Sequence, residues 1–374
     1  MSIDKKDVEE ILKAITTNGD GKSLYDGNLI SNIMVFGDQV DIDVLMKNPT
    51  LQAKKQVQDS IVKLFNEKFN SKIKVKVNTK YDNNSITPDS VAKIKGIDSI
   101  VAISSGKGGV GKSTVTANLA VTLAEMGCKV GILDADIYGP SIPAMFDLEG
   151  ERPLSVKYNG ESKIKPVENY GVKVLSIGFF TKPDQAVIWR GPMASKALKQ
   201  MIFDSAWGEL DFLFVDLPPG TGDIHLSIVQ SIPLNGAVVV STPQNIALAD
   251  ARKGISMFRK ENINVPLLGI IENMSFFTPE ELPDNKYYIF GRQGAKNLSE
   301  DKNVPFLGEL PLVQSIREAS DIGRPAALQE NTVVKDHLTK ITQKLVEEII
   351  KRNTNLPPTK IVEITNMVGC SAVK

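Results

Sequence analysis

Gly106, Gly111, Lys112 and Ser113 fill the pattern G-x-x-x-x-G-K-[ST] within the run Gly106-Lys107-Gly108-Gly109-Val110-Gly111-Lys112-Ser113-Thr114. Glycines so spaced let backbone N–H groups approach phosphate oxygens, and a helix leaving the loop adds the positive end of its dipole. Lys112 is placed to contact the β- and γ-phosphates of a nucleoside triphosphate and Ser113 to ligate Mg²⁺. Lys107 is surplus to the pattern: a second ammonium group directly after the first glycine.

Two further groups fit the same chemistry. In FLFVDLPPGTGD (212–223), Asp216 ends an apolar run and suits the outer coordination shell of the same Mg²⁺. The Pro-Pro-Gly-Thr-Gly after it cannot form regular structure, and such a segment can be ordered by nucleotide and released on hydrolysis. The plainer role for Asp216 is to cap the next helix. In LDADIYGPS (133–141), Asp134 and Asp136 lie two apart, on one face if the strand continues, and suggest water activation plus metal or switch contacts. Asn273, in IIENMS, either reads a purine edge through its amide or is an ordinary turn residue. Asp250 and Arg252 read as solvated helix surface, and His225 as the neighbour of a helix cap rather than a catalyst.

These groups need a scaffold, and the chain offers one from residue 97 onward. The runs 100–104, 129–134, 172–177, 212–216, 236–241, 267–271 and 306–310 are apolar on both faces and alternate with helical stretches. That pattern predicts an α/β fold with a doubly wound, mostly parallel sheet. A helix from about Lys112 to Met126, stopped by Gly127, leaves the loop, and 333–353 reads as a closing helix. Ahead of this lies a small α+β module: a helix at 7–15, a hairpin over 29–46 turning at Gly37-Asp38, a helix at 51–69 and a strand at 72–77. The polar stretch TKYDNNSITPDSVAKIK (79–95) reads as a linker. The expected organisation is therefore 1–80 small domain, 81–96 linker, 97–354 nucleotide domain and 355–374 tail.

Composition narrows the classes. Lys plus Arg balance Asp plus Glu at 44 each, so no basic field points to nucleic acid. The N-terminus has no signal-peptide core, no apolar run approaches membrane-spanning length, and the tail is Pro-broken and not basic, so a cytoplasmic protein without a membrane partner is expected. The two cysteines, Cys128 and Cys370, form no C-x-x-C pair, and His225 and His337 have no metal-ligand spacing.

With its early lysine, GKGGVGKST resembles the deviant phosphate loop of the MinD/nitrogenase-iron-protein class of ATPases. DADIYGPS, VDLPPGTGD, STPQ and ENMS are similar to the Mrp/ApbC branch, the iron–sulfur cluster carriers, over essentially all of 97–350. The first module is similar to a SufT-like domain. The resemblance implies a homodimer that binds and hydrolyses ATP and passes a bridging [4Fe–4S] cluster to apoprotein clients. It makes Lys107 the signature lysine, Lys112 the phosphate lysine, Ser113 the Mg²⁺ ligand, Asp136 the water-activating residue and Asp216 the metal-linked aspartate. Many members place a C-x-x-C pair shortly after the ENMS-like segment, whereas here 272–291 contains no cysteine. The cluster ligands therefore stay unassigned, with Cys370 a candidate, and the alternative is a nucleotide-gated dimeric switch that no longer binds a cluster. Two ammonium groups aimed at one set of phosphates are costly to desolvate together, so Lys107 is expected to reach across a two-fold axis onto the partner's nucleotide.

Overall fold

The computed structural model describes residues 5–16, 23–36, 39–69, 73–81, 94–180, 191–261, 263–279, 281–282 and 284–356. The first part runs α1 (Lys5–Lys13), β1 (Ile30–Phe36), β2 (Gln39–Met46), α2 (Leu51–Phe69) and β3 (Lys74–Tyr81), with sheet order β1-β2-β3. β1 and β2 pair antiparallel, as the hairpin pattern predicts, although Gly37 and Asp38 lie outside the described residues. β3 pairs parallel to β2, with α2 as the crossover. Alternation sends Val40, Ile42, Val44 and Met46 inward, onto Val8, Leu12, Ile61 and Phe65. β3 extends through Thr79, Lys80 and Tyr81 because Val44, Leu45 and Met46 supply backbone partners there. The start of the stretch read as a linker is therefore strand, and 82–93 lie outside the described residues.

The second part runs β4 (Ile97–Ser105), α3 (Lys112–Glu125), β5 (Val130–Asp134), α4 (Ile142–Met145), β6 (Leu154–Tyr158), β7 (Glu161–Lys165), β8 (Val167–Asn169) and β9 (Val172–Ser176). It continues with α5 (Gly191–Phe203), β10 (Leu210–Asp216), α6 (Asp223–Ser231), β11 (Gly236–Ser241), α7 (Asn245–Phe258) and β12 (Leu267–Glu272). α8 (Gly294–Lys302), β13 (Phe306–Glu309), α9 (Gln314–Asp321) and α10 (Val333–Asn355) complete it. Eight strands form one sheet in the order β13-β12-β11-β4-β10-β5-β9-β8, parallel except for β8 at the edge. Alternate residues explain the runs apolar on both faces. Val101, Ile103, Ile132, Phe214 and Val238 pack beneath α3 and α10, while Ile100, Ala102, Leu133, Leu213 and Val239 pack against α5 and α7. The α/β, doubly wound, mostly parallel architecture expected from the sequence is thus present. The polar hairpin β6–β7 and the three-residue β8 carry no comparable apolar pattern and were not foreseen. Among the described residues, no helix is long and apolar enough to cross a membrane.

Candidate nucleotide site

Parallel strands bring their carboxyl ends to one edge, and β5 and β11 lie on opposite sides of β4, so the strand order reverses there. Ligands of open α/β sheets bind in the crevice outside such a reversal. Ser105, Asp134, Asp216 and Ser241 end β4, β5, β10 and β11, and all four are buried.

The loop 106–111 joins β4 to α3. Gly109 and Gly111 hold φ of 81° and 79°, a left-handed backbone that favours glycine. Gly106 is needed for space instead, since a Cβ there would stand 2.2 Å from the carbonyl carbon of Asp250 in α7. Asp250 and Arg252 belong to this supporting helix, and the Asp250 side chain pairs with Lys253 at 2.9 Å. No side chain caps the start of α3, which suits a terminus whose amides and dipole receive an anion. The helix closes as the sequence implied: Gly127 adopts φ 84°, and the amides of Gly127 and Cys128 bond back to Ala124 and Leu123.

Lys112 is the hub. Its Nζ donates to Asp216 at 2.7 Å and to Ser113 Oγ at 3.1 Å, and lies 3.8 Å from Asp136. Asp216, fully buried, also accepts from Ser113 Oγ at 2.5 Å and from Thr116 Oγ1 at 2.7 Å. It joins the phosphate loop to β10 rather than capping the next helix. Thr116 is a residue the sequence reading missed; its signal was its place four residues after Lys112, on the same helix face.

Asp134 and Asp136 differ from the sequence expectation. β5 ends at Asp134, so the period-two argument for a shared face does not apply. The Asp134 carboxylate accepts from the amides of Asp136 (3.2 Å) and Ile142 (3.3 Å) and from Ser176 Oγ (2.9 Å), so it shapes the loop that carries Asp136. Burial, then the neighbouring Asp216 charge, pushes the Asp134 carboxyl up from the ordinary range, against the pull of Lys112 and Ser176. Burial likewise raises Asp136, while Lys112 and the amides of Gly139 and Tyr138 draw it down. One ammonium group thus faces three buried carboxylates.

Asn273 donates from Nδ2 to the Val110 carbonyl at 2.9 Å, and that nitrogen would lie 2.2 Å from a Cβ at Gly111. The amide braces the phosphate loop itself, a different task from reading a purine edge. Val110 is buried, Ser113, Thr114 and Lys107 are partly exposed, and Gly108 and Gly109 are exposed. The Lys107 ammonium forms no ion pair among the described residues, and its carbonyl accepts from Ser105 Oγ at 2.9 Å. His225 stands three residues after the N-cap Gly222, as expected of a cap neighbour, and it is buried and bonded through Nδ1 to the Pro218 carbonyl at 3.1 Å.

Cys128 packs in the core, where burial pushes its thiol up to about 12. Cys370 lies outside the described residues. Among the described residues, no group of three or more His, Cys, Asp or Glu is arranged to hold a metal ion.

Residues 96–349 match the family model of the NUBPL iron-transfer P-loop NTPases, and 5–77 match that of an iron–sulfur cluster assembly protein. The chain belongs to the NUBPL iron-transfer P-loop NTPase family. It is 42% identical over 333 residues to an iron–sulfur cluster carrier protein of Synechocystis, covering 88% of this chain and 93% of that relative. It is 44% identical to the iron–sulfur cluster transfer protein NUBPL of Dictyostelium discoideum, over 70% of this chain and 80% of the other. A nucleotide-binding protein from Archaeoglobus fulgidus, solved in complex with ADP, superposes with a TM-score of 0.55 at 38% identity, over 64% of this chain and 91% of that one. The nucleotide half of the fold is therefore that of a P-loop NTPase of this family.

Proposed function

We propose that this protein is an ATP-hydrolysing carrier that binds an iron–sulfur cluster and passes it to apoprotein clients, working as a cytoplasmic homodimer. The observation that carries the ATPase part is the convergence of Lys112, Ser113, Asp136 and Asp216 at the carboxyl edge of the sheet. The carrier part rests on the family and on full-length relatives of that description.

The loop amides 108–114 and the start of α3 cradle the phosphates, with Lys112 on the β- and γ-phosphates. Ser113 Oγ and the Asp216 carboxylate are hard oxygen donors that already converge at the start of α3, with Asp136 on the same lysine, so the residues fit Mg²⁺. The ion supplies neutralisation of phosphate charge when bound. Asp136 accepts the proton of the attacking water as its oxygen bonds to the γ-phosphorus, and the bond to the β–γ bridging oxygen breaks to give ADP and phosphate. Lys107, without a partner of its own among the described residues, reaches the nucleotide of the second subunit.

The cluster is cargo, and its type and ligands are open. Cys128 is unsuited, because its side chain is packed in the core between the sheet and α3 and is closed to a cluster. Cys370 is the remaining cysteine of the chain. The test is anaerobic reconstitution with iron and sulfide, with absorbance, iron and sulfide counted per dimer, and transfer to an apo-ferredoxin. Cluster loading and transfer are expected. Failure to load, with ATP hydrolysis intact, would leave a nucleotide-gated switch without cargo.

A further inference from the structure

His225 stands in the first turn of α6, directly after the segment Leu217-Pro218-Pro219-Gly220-Thr221-Gly222. That segment leaves Asp216, the acid bonded to Lys112, Ser113 and Thr116. Its two prolines have no N–H, so few backbone bonds can fix it. The Leu217 amide bonds to the Ile103 carbonyl at 3.0 Å, and the Gly220 amide to the Ser105 carbonyl at 2.9 Å. Between them, the Pro218 carbonyl accepts from the His225 ring.

The ring is enclosed, 1% exposed, with Phe258 of α7 at 5.9 Å between centroids. Burial lowers its pKa to about 4, so it is neutral at pH 7. A neutral ring facing a carbonyl carries its proton on Nδ1, which makes Nδ1 the donor and Nε2 an acceptor. Nε2 has no hydrogen-bond partner among the described residues. An uncompensated buried acceptor disfavours a histidine kept for packing alone, since an apolar residue would avoid that cost.

We infer that His225 is a positioning residue, a clasp whose Nδ1–H holds the Pro218 carbonyl and so seats the proline-rich segment on the phosphate loop. From Pro218 the connection continues through the Gly220 amide to Ser105, whose hydroxyl holds the Lys107 carbonyl. The clasp thereby links α6 to both the acid at Asp216 and the surplus lysine. This role rests on the proposed ATPase reading for its consequence in turnover, but not for its consequence in the segment's own stability.

The test compares His225→Leu, which removes the donor, with His225→Asn, whose amide nitrogen takes the place of Nδ1, and His225→Gln, whose amide reaches only the Nε2 position. Amide hydrogen exchange of a peptide spanning Leu217 to Gly222 is read without nucleotide and with ATP and Mg²⁺. Loss of one clasp bond is expected to speed exchange of the Gly220 amide about fivefold or more in the Leu and Gln variants. In the Asn variant exchange should stay within about twofold of wild type. Steady-state hydrolysis should fall in kcat for Leu and Gln, with KM little moved, and recover in Asn. Unchanged exchange in His225→Leu, or equal acceleration in all three variants, overturns the clasp. Absence of hydrolysis by the wild-type protein overturns the ATPase reading instead, and the exchange result still decides the role of His225.

Discussion

Lys112 is a structural keystone as well as the proposed phosphate ligand, and this makes its removal more costly than the loss of one phosphate contact. Its ammonium lies 2.7 Å from a fully buried Asp216 and 3.8 Å from Asp136, and is itself 6% exposed, so solvent does little to screen the pair. Removing one partner of such a pair leaves an uncompensated buried charge and costs about 3–5 kcal/mol. Lys112→Met keeps the apolar stem, and Asp216→Asn keeps the acceptor for Thr116 while its amide nitrogen replaces the oxygen facing Lys112 and Ser113, so each single variant breaks the pair. If the charges act on each other, the double variant should lose about as much as one single variant, an interaction energy of at least about 2 kcal/mol. Urea unfolding with linear extrapolation, in buffer free of Mg²⁺ and nucleotide, measures all four proteins. A Lys112→Met protein within about 1 kcal/mol of wild type, or a double variant equal to the sum of the singles, would refute the keystone role. The same result bears on binding. Charge-assisted contacts are worth about 1.5–3 kcal/mol each, so ATP affinity of Lys112→Met has to be titrated where the variant is still folded.

Asp136→Asn should bind ATP within about threefold of wild type and slow single-turnover hydrolysis by about 10²-fold or more, because the role proposed for the carboxylate is on the attacking water. Lys107→Ala should also bind ATP and hydrolyse it poorly, and mixing it with Asp136→Asn should restore part of the activity, since one site of each heterodimer has both residues. Heterodimers that form and stay inactive would place Lys107 in its own subunit's site. Gly106→Ala should cost about 1–3 kcal/mol in urea melts, as its Cβ would press on the backbone of α7 at Asp250; no loss would mean that the helix yields freely. His225 has a lowered folded pKa, so the unfolded chain binds the extra proton and stability falls as pH drops from about 6.5 toward about 4. Between pH 7.5 and 5 the wild type should therefore lose about 2 kcal/mol more than His225→Leu, and equal losses would contradict a buried neutral ring.

Much of the sheet was legible because a buried parallel strand must be apolar on both faces: GAVVVS (236–241) coincides with β11, and the seven runs read from the sequence are seven of its eight strands. β8 escaped notice because three edge residues, Val167-Glu168-Asn169, carry no period. The phosphate loop was legible because backbone approach to an anion demands glycine and lysine at fixed offsets. The tasks of Asp134 and His225 were not, for a different reason. Both act on backbone groups brought near by the fold, the amides of Asp136 and Ile142 and the carbonyl of Pro218. A backbone partner leaves no mark in the sequence. Asn273 is the intermediate case, since its residue type announced an amide in need of partners, but only the structure supplies the Val110 carbonyl.

The segment after Asn273 shows why the cluster ligands have to be sought elsewhere in the chain. Where the family resemblance leads to an expectation of paired cysteines, Phe277 and Tyr287 form an antiparallel bridge. Lys286 lies 4.0 Å above the ring of Phe276, and Arg292 lies 4.9 Å from that of Tyr288. Phe276 also meets Tyr288 and His337, whose Nδ1 is bonded to the Glu309 carbonyl at 2.7 Å. Aromatic faces and cations here satisfy one another, and they offer hard or aromatic surfaces rather than soft thiolate donors. Residues 272–291 contain no cysteine, so any thiolate ligands of a cluster must come from outside this segment. With Cys128 closed in the core, the proposed sources are Cys370 and an added thiol. Reconstituting Cys370→Ser separates these two sources. Cluster content equal to wild type would rule Cys370 out as a ligand, and its loss would assign Cys370 to the cluster.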